Sequence, residues 1–143
     1  MAESPKLAFT KIRTRDVEGL AAFYAKAFGR VEKLRFRTED NGDPLEEIVL
    51  AAPNGEGQSL VLIDYPTRPQ PVPGEVLVGF VVADVRAAVE AVVAAGGTVE
   101  QPPAEQPEMK VLYSYVLDPE GHRLEIVQYL SEEGGAARGE DTQ

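Results

Sequence analysis

Two residues close together in the sequence, Glu125 and His122, have side chains that could do acid–base chemistry. Leu124 and Ile126 point to one face of a predicted strand, so Glu125 between them points to the other. A carboxylate among apolar neighbours needs a partner or a purpose. It is either a structural group paired with Lys11, a hydrogen-bond acceptor for a ligand, or a general base.

His122 is the one histidine of the chain, and the chain has no cysteine. A metal site of two histidines and a carboxylate is therefore impossible within one chain, and disulfides, zinc–thiolate sites and thiol catalysis are excluded. The strand alternation does not place His122 beside Glu125, because the histidine belongs to the preceding turn. We predict that His122 faces solvent, the alternative being a role as metal ligand or base.

Both residues lie in a predicted β-hairpin, Val111 to Gln128, whose turn is Asp118-Pro119-Glu120-Gly121. Proline sets φ at the second turn position, aspartate at the first can bond the backbone ahead, and glycine closes the turn. The face of Glu125 carries one of two alternating sets: Tyr113 and Tyr115, or Leu112, Ser114 and Val116. The tyrosines would suit a ligand wall, because each joins an apolar ring to a polar tip.

The hairpin completes the second of two similar halves. Each half is predicted to run strand, Asp-capped helix, glycine stop and three strands, with Asp16 and Asp84 as the two caps. The predicted strands are 7–15, 31–38, 46–52 and 59–65 in the first half, and 76–83, 98–101 and the hairpin in the second, with a Pro- and Glu-rich loop at 101–108. Units of this size are marginal alone. We therefore predict an α+β fold of two tandem βαβββ modules, which form curved mixed sheets around a cleft.

Composition shifts set the predicted boundaries. They divide the chain into a lead-in at residues 1–6, a first module at 7–65, a stiff proline-rich linker at 66–75, a second module at 76–130 and a disordered acidic tail at 131–143. In the first module, Glu46 and Glu47 start a strand, and we predict an exposed edge charge there, the alternative being a contact in the cleft.

The chain is acidic, with a formal net charge of -10. This charge argues against nucleic acid or an anionic membrane surface as a partner, since both need clustered lysine and arginine. The hydrophobic fraction of 43% suffices for a core, yet no apolar run approaches the roughly 18 residues of a membrane span. We predict a cytoplasmic protein with neither a nucleic-acid nor a membrane partner.

Two segments carry a resemblance to a known family. Asp16-Val-Glu-Gly-Leu-Ala-Ala-Phe-Tyr24-Ala-Lys-Ala-Phe-Gly29 resembles an Asp…Phe-Tyr…Leu-Gly helix, and Asp118-Pro-Glu-Gly-His-Arg-Leu-Glu125 resembles an Asp-Pro-x-Gly…Glu ending. With the repeat, they resemble the vicinal oxygen chelate superfamily of glyoxalase I, bleomycin-resistance proteins and extradiol dioxygenases. The resemblance covers about residues 7–130 and implies a small-molecule site and a homodimer.

The resemblance also implies four metal-ligand positions, one on the first and one on the last strand of each module. Carried over to this sequence, they fall on Phe9, Leu62, Val78 and Glu125. Only Glu125 has a side chain that can bind a metal. We therefore expect neither a metal nor another cofactor.

The predicted ligand-binding residues are mostly apolar or aromatic: Phe9, Lys11, Leu62, Val78, Phe80, Tyr113, Tyr115 and Glu125. We predict that the protein binds a small apolar or aromatic molecule in the cleft between the modules. The alternative is a glyoxalase-type lyase or isomerase, or a related enzyme, with Glu125 as acid/base and no metal or with an unusual metal site. A third hypothesis is a purely structural or regulatory dimer.

Overall fold

The chain divides into two units, Met1–Val72 and Pro73–Gln143, and this boundary lies within the predicted linker. The structure, a computed structural model, describes residues 4–130. Each unit has one helix and one four-stranded sheet. The predicted α+β fold of two tandem modules is therefore confirmed. The predicted tail, residues 131–143, lies outside the described residues.

The first unit begins with a strand and a helix. Its elements are β1 (Phe9–Arg13), α1 (Val17–Phe28), β2 (Val31–Asp40), β3 (Asp43–Ala51) and β4 (Ser59–Asp64). The sheet order is β1-β4-β3-β2, with β1 and β4 parallel and the other pairs antiparallel. Asp16 caps α1 by accepting the Gly19 N–H at 3.0 Å. The helix ends at Gly29, whose φ of 67° is favourable for glycine.

One face of the first sheet packs against α1. Sheet register places Ile12 and Ile48 on the same face as Leu62, and all three are buried. They form a core with Leu20 and Tyr24 of the helix, which are also buried. Burial of each such side chain contributes about 1.5–3 kcal/mol. The opposite face of this sheet also carries buried side chains, among them Val61, Ile63 and Glu47.

The second unit repeats this arrangement. Its elements are β5 (Val78–Val81), α2 (Val85–Ala94), β6 (Thr98–Gln106), β7 (Val111–Leu117) and β8 (Arg123–Tyr129). The sheet order is β5-β8-β7-β6, with β5 and β8 parallel. Asp84 caps α2 by accepting the Ala87 N–H at 3.1 Å. The side-chain oxygen of Gln128 accepts the Val85 N–H at 2.9 Å and so joins β8 to the start of α2.

The second sheet also buries one face. Val116, Leu124 and Ile126 are fully buried, as are Val85 and Val92 of α2. Because neighbouring strand residues alternate, Glu125 and the tyrosines of β7 lie on the face away from α2. The tyrosine alternative of the sequence analysis is therefore the one that the structure shows.

The loop predicted at residues 101–108 was wrong for most of its length, because β6 continues to Gln106. The strand passes through Pro102 and Pro103 with register shifts between Val99 and Gln101 and between Gln101 and Ala104. β6 is an edge strand and pairs with a neighbouring strand on one side only, which is where a sheet tolerates proline. Bulges of this kind are common on edges.

Neither helix in residues 4–130 has both the length and the apolar character that a membrane crossing requires.

Candidate functional site

A buried carboxylate organises the turn that joins β7 to β8. Asp118 accepts the backbone N–H groups of Glu120 at 2.9 Å and His122 at 3.0 Å, and its second oxygen lies 2.8 Å from Nδ1 of His122. His122 is only 9% exposed, so the prediction that it faces solvent was wrong. Its ring folds back onto the aspartate that precedes it in the turn. The turn thereby fixes the register of the two strands that carry Glu125 and the tyrosines.

The face of the second sheet away from α2 forms a concave pocket of about 390 Å³. The pocket lies on β7 and β8 and reaches the end of β6. It is lined by aromatic, aliphatic and a few polar side chains: Gln106, Met109, Val111, Tyr113, Tyr115, Glu125, Val127 and Tyr129. Three of the predicted ligand-binding residues, Tyr113, Tyr115 and Glu125, thus come together in one pocket.

The tyrosines form an ordered wall of this pocket. The rings of Tyr113 and Tyr115 meet edge to face, with their centroids 5.7 Å apart and their planes at 70°. The guanidinium of Arg123 lies 4.0 Å from the centroid of the Tyr115 ring. Arg123 is itself held by Glu100, with Nε and Oε1 2.5 Å apart. The orientation of Tyr115 is therefore set by neighbours on three strands before any ligand arrives.

Glu125 is the polar centre of the pocket. It lies on β8 between Gly79 of β5 and Tyr115 of β7, and its side chain is partly buried. Within residues 73–130, its carboxylate has no hydrogen-bond or ion-pair partner. A partly buried carboxylate keeps its charge at low cost only if water or a ligand satisfies its oxygens. It can therefore accept hydrogen bonds from a molecule in the pocket.

In the first unit, the face of the sheet away from α1 carries a salt bridge between Lys11 and Glu47. Nζ of Lys11 lies 2.6 Å from Oε2 of Glu47, and Glu47 is only 4% exposed. The exposed charge predicted at Glu47 was therefore wrong, and Lys11, a candidate partner of Glu125 in one of the three alternatives, pairs with Glu47. Nζ of Lys11 also lies 5.7 Å from the centroid of the Phe9 ring. Phe9 and Lys11 thus share one face of the first sheet.

Three other predicted ligand-binding residues lie on the helix-packed faces of their own sheets. Leu62 pairs with Ile12 and is fully buried on the face toward α1. Val78 and Phe80 pair with Leu124 and Ile126, so they lie on the face toward α2. The family resemblance placed a ligand position on Val78, and a shift of one residue along a strand changes the face of the sheet. The observed register puts Gly79 opposite Glu125.

Sequence reasoning missed five residues of the pocket: Gln106, Met109, Val111, Val127 and Tyr129. Val127 and Tyr129 follow Glu125 at strand spacing, and Val111 precedes Tyr113 at the same spacing, so alternation could have found them. Gln106 and Met109 lie where β6 turns into β7, and no periodicity predicts their direction.

The residues present do not fit the metal site that the family resemblance implies. Of the four implied positions, Phe9, Leu62 and Val78 offer no donor atom. Residues 4–130 contain no group of three or more His, Asp or Glu side chains arranged to hold a metal ion.

A second polar cluster lies at the end of β4 in the first unit. The Tyr65 hydroxyl donates to Asp40 at 2.8 Å, and Nε of Arg68 donates to Asp43 at 2.8 Å. The Arg68 guanidinium stacks 3.7 Å from the centroid of the Tyr65 ring. The hydrogen bond to Asp40 raises the pKa of Tyr65 above its usual value. The cluster joins the β2–β3 turn to the residues that follow β4.

Known proteins share this architecture. A glyoxalase-related enzyme from Fulvimarina pelagi is 25% identical with a TM-score of 0.62, covering 86% of this chain and 87% of that chain. A glyoxalase I mutant from Zea mays is 25% identical with a TM-score of 0.70, but the match covers 85% of this chain and only 45% of the maize chain. A glyoxalase family protein from Bacillus cereus has a TM-score of 0.74 at 18% identity over 92% of this chain and 99% of that chain, which shows the fold alone.

At the level of sequence, no curated protein matches the chain. The family model described as the Glyoxalase/Bleomycin resistance protein/Dioxygenase superfamily matches residues 6–126, which include both helices and all but the end of the last strand. The chain therefore belongs to the glyoxalase/bleomycin resistance protein/dioxygenase superfamily.

Proposed function

We propose that the protein binds a small aromatic molecule in the pocket of the second unit, with Glu125 as the acceptor for a hydrogen-bond donor on that molecule. The observation that carries the proposal is a partly buried carboxylate without a protein partner in residues 73–130, set in a pocket of tyrosine and aliphatic side chains. Apolar walls with one or two placed polar groups are typical of small-molecule sites.

The size and walls of the pocket favour a ligand of one or two rings. Its volume of about 390 Å³ lies at the lower end of the range for such sites, roughly 300–1,000 Å³. Tyr113 and Tyr115 offer ring faces and edges for stacking, and Val111 and Val127 offer apolar contact. A purely polar ligand would make few favourable contacts with these aromatic and aliphatic side chains.

The charge of the site favours a donor, and a cationic donor most. Glu125 as a carboxylate is an acceptor only, so an acidic ligand would meet repulsion there. The net charge of -10 acts in the same direction, because it raises the local concentration of cations and lowers that of anions. A ring that carries an ammonium or another N–H donor therefore fits both the walls and the centre.

The proposal is tested by measuring the binding of benzylamine and of naphthylmethylamine with ligand-observed NMR. A hydrogen bond to a charged group contributes about 1.5–3 kcal/mol, so Glu125→Gln should weaken binding by roughly 10- to 150-fold. Glu105→Gln is the matched control, since Glu105 pairs with Leu112 on the opposite face and is exposed. Equal affinity of the wild-type protein and both variants would contradict the role of Glu125.

The cytoplasmic location, the homodimer and the lack of a nucleic-acid or membrane partner stay predictions of the sequence.

A further inference from the structure

The strand neighbour of Glu125 on β5 has no side chain. Gly79 pairs with Glu125 in the parallel ladder, and paired residues project to the same face of a sheet. Gly79 is exposed, and Val81, two residues further on the same face, is 65% exposed. The pocket is therefore open on the β5 side, directly beside the carboxylate.

The backbone does not require glycine at this position. The φ of Gly79 lies outside the left-handed region, unlike that of Gly121 in the turn. A Cβ placed on Gly79 would lie 3.9 Å from the nearest atom, the Glu125 carbonyl oxygen, which is ordinary contact. Glycine within a strand weakens it, and often marks a place where a ligand or another backbone approaches closely. The missing side chain thus needs an explanation outside the fold.

The first unit supplies a comparison within the same chain. Lys11 and Gly79 occupy equivalent positions in the two units, because each precedes the capping aspartate of its helix, Asp16 or Asp84, by the same number of residues. Lys11 fills its position with a long side chain that pairs with Glu47 at 2.6 Å. In the second unit this position is Gly79, which has no side chain, and the carboxylate of the neighbouring Glu125 has no partner within residues 73–130.

We propose that Gly79 is a specificity-determining residue of the pocket, where it leaves room for a ring of the ligand to lie over β5 while the donor of the ligand reaches Glu125. The inference rests on the proposed function and adds the direction in which the ligand extends. Adjacent strands lie about 4.8 Å apart, so the space over Gly79 widens the pocket by about one strand. A ring that lies over β5 needs this space, whereas a single ring held against the tyrosines does not.

Three substitutions at Gly79 distinguish the effect of filling the space from the effect of adding a charge. Gly79→Ala adds a methyl group, Gly79→Val fills the space without charge, and Gly79→Lys recreates the pairing of the first unit. We expect Gly79→Val to weaken naphthylmethylamine binding at least about tenfold and benzylamine binding much less, as is usual for steric changes in apolar pockets. Gly79→Lys should weaken both, and Ala83→Lys, an exposed position just beyond β5, is the control for added charge.

The urea midpoint of each variant is measured beside the affinities. We expect Gly79→Ala and Gly79→Val to unfold at the same or a higher urea concentration than the wild-type protein, because the strand gains a side chain. A clearly lower midpoint for Gly79→Ala would show that the fold requires this glycine, and would overturn the inference.

The binding results distinguish the two proposals. Wild-type binding that depends on Glu125 but is unchanged in Gly79→Val would overturn the role of Gly79 alone. Failure of both amines to bind the wild-type protein would contradict the proposed function and the role of Gly79 together.

Discussion

Replacing Lys11 with methionine should destabilise the first unit, because it leaves a buried carboxylate without its ammonium partner. Glu47 and Lys11 are 2.6 Å apart, and their side chains are 5% and 42% exposed, respectively. Breaking a fully buried pair costs about 3–5 kcal/mol, whereas an exposed pair contributes at most about 1 kcal/mol. The half-exposed lysine places this pair between the two limits, at about 2 kcal/mol. Methionine keeps most of the length and apolar contact of the lysine stem.

Urea unfolding followed by circular dichroism measures this loss, and a double-mutant cycle assigns it to the pair. Glu47→Gln alone should also destabilise the protein, and the double variant Lys11→Met/Glu47→Gln should be more stable than the sum of the single losses predicts. We expect a coupling energy of about 1–2 kcal/mol. A loss below about 0.5 kcal/mol for Lys11→Met, with no coupling to Glu47, would refute the reasoning.

Two further predictions concern single hydrogen-bonded groups. Because Asp40 raises the pKa of Tyr65, the folded state holds the phenolic proton more tightly than the unfolded state, so this stabilisation is present below a pH near the ordinary value of 10.0 and is lost as pH rises through the folded pKa. The urea midpoints of wild-type protein and Tyr65→Phe should therefore differ at about pH 8 and converge as the pH rises above about 10, and a difference that stays constant above about pH 10 would count against the hydrogen bond. Asp118→Ala strands two backbone N–H groups and the His122 ring, so we expect a loss of about 2–3 kcal/mol in the same assay. An unchanged midpoint would mean that the turn holds without these bonds.

The sequence predicted the fold because the strongest local signals agree with the tertiary packing. Asp16 and Asp84 both cap helices through side-chain hydrogen bonds to the first turn. The alternation around Glu125 identified the face of β8 correctly, since Leu124 and Ile126 are the buried partners of α2. The same alternation on β7 brought Tyr113 and Tyr115 to the face of Glu125.

The residues whose positions were predicted wrongly share one physical cause. Their positions depend on contacts with other segments of the chain, which the local sequence does not determine. Val78 and Phe80 lie on the α2 face because β5 pairs Gly79, and not Val78, with Glu125. Glu47 is buried because Lys11 reaches it from another strand, a contact that local sequence does not reveal. His122 is buried because Asp118 draws its ring inward through a bond that turn propensities do not include.

The site itself is tested most directly by NMR of the tyrosine rings during a titration with naphthylmethylamine, with Tyr113→Phe and Tyr115→Phe used for assignment. We expect the ring resonances of Tyr113 and Tyr115 to shift and to saturate together. The resonances of Tyr24, which is fully buried in the first unit, should stay in place. At a ligand concentration near the wild-type Kd, the shifts should be strongly reduced in Glu125→Gln and unchanged in Glu105→Gln. Saturable binding that leaves the rings of Tyr113 and Tyr115 unmoved would place the ligand elsewhere and contradict the proposed site.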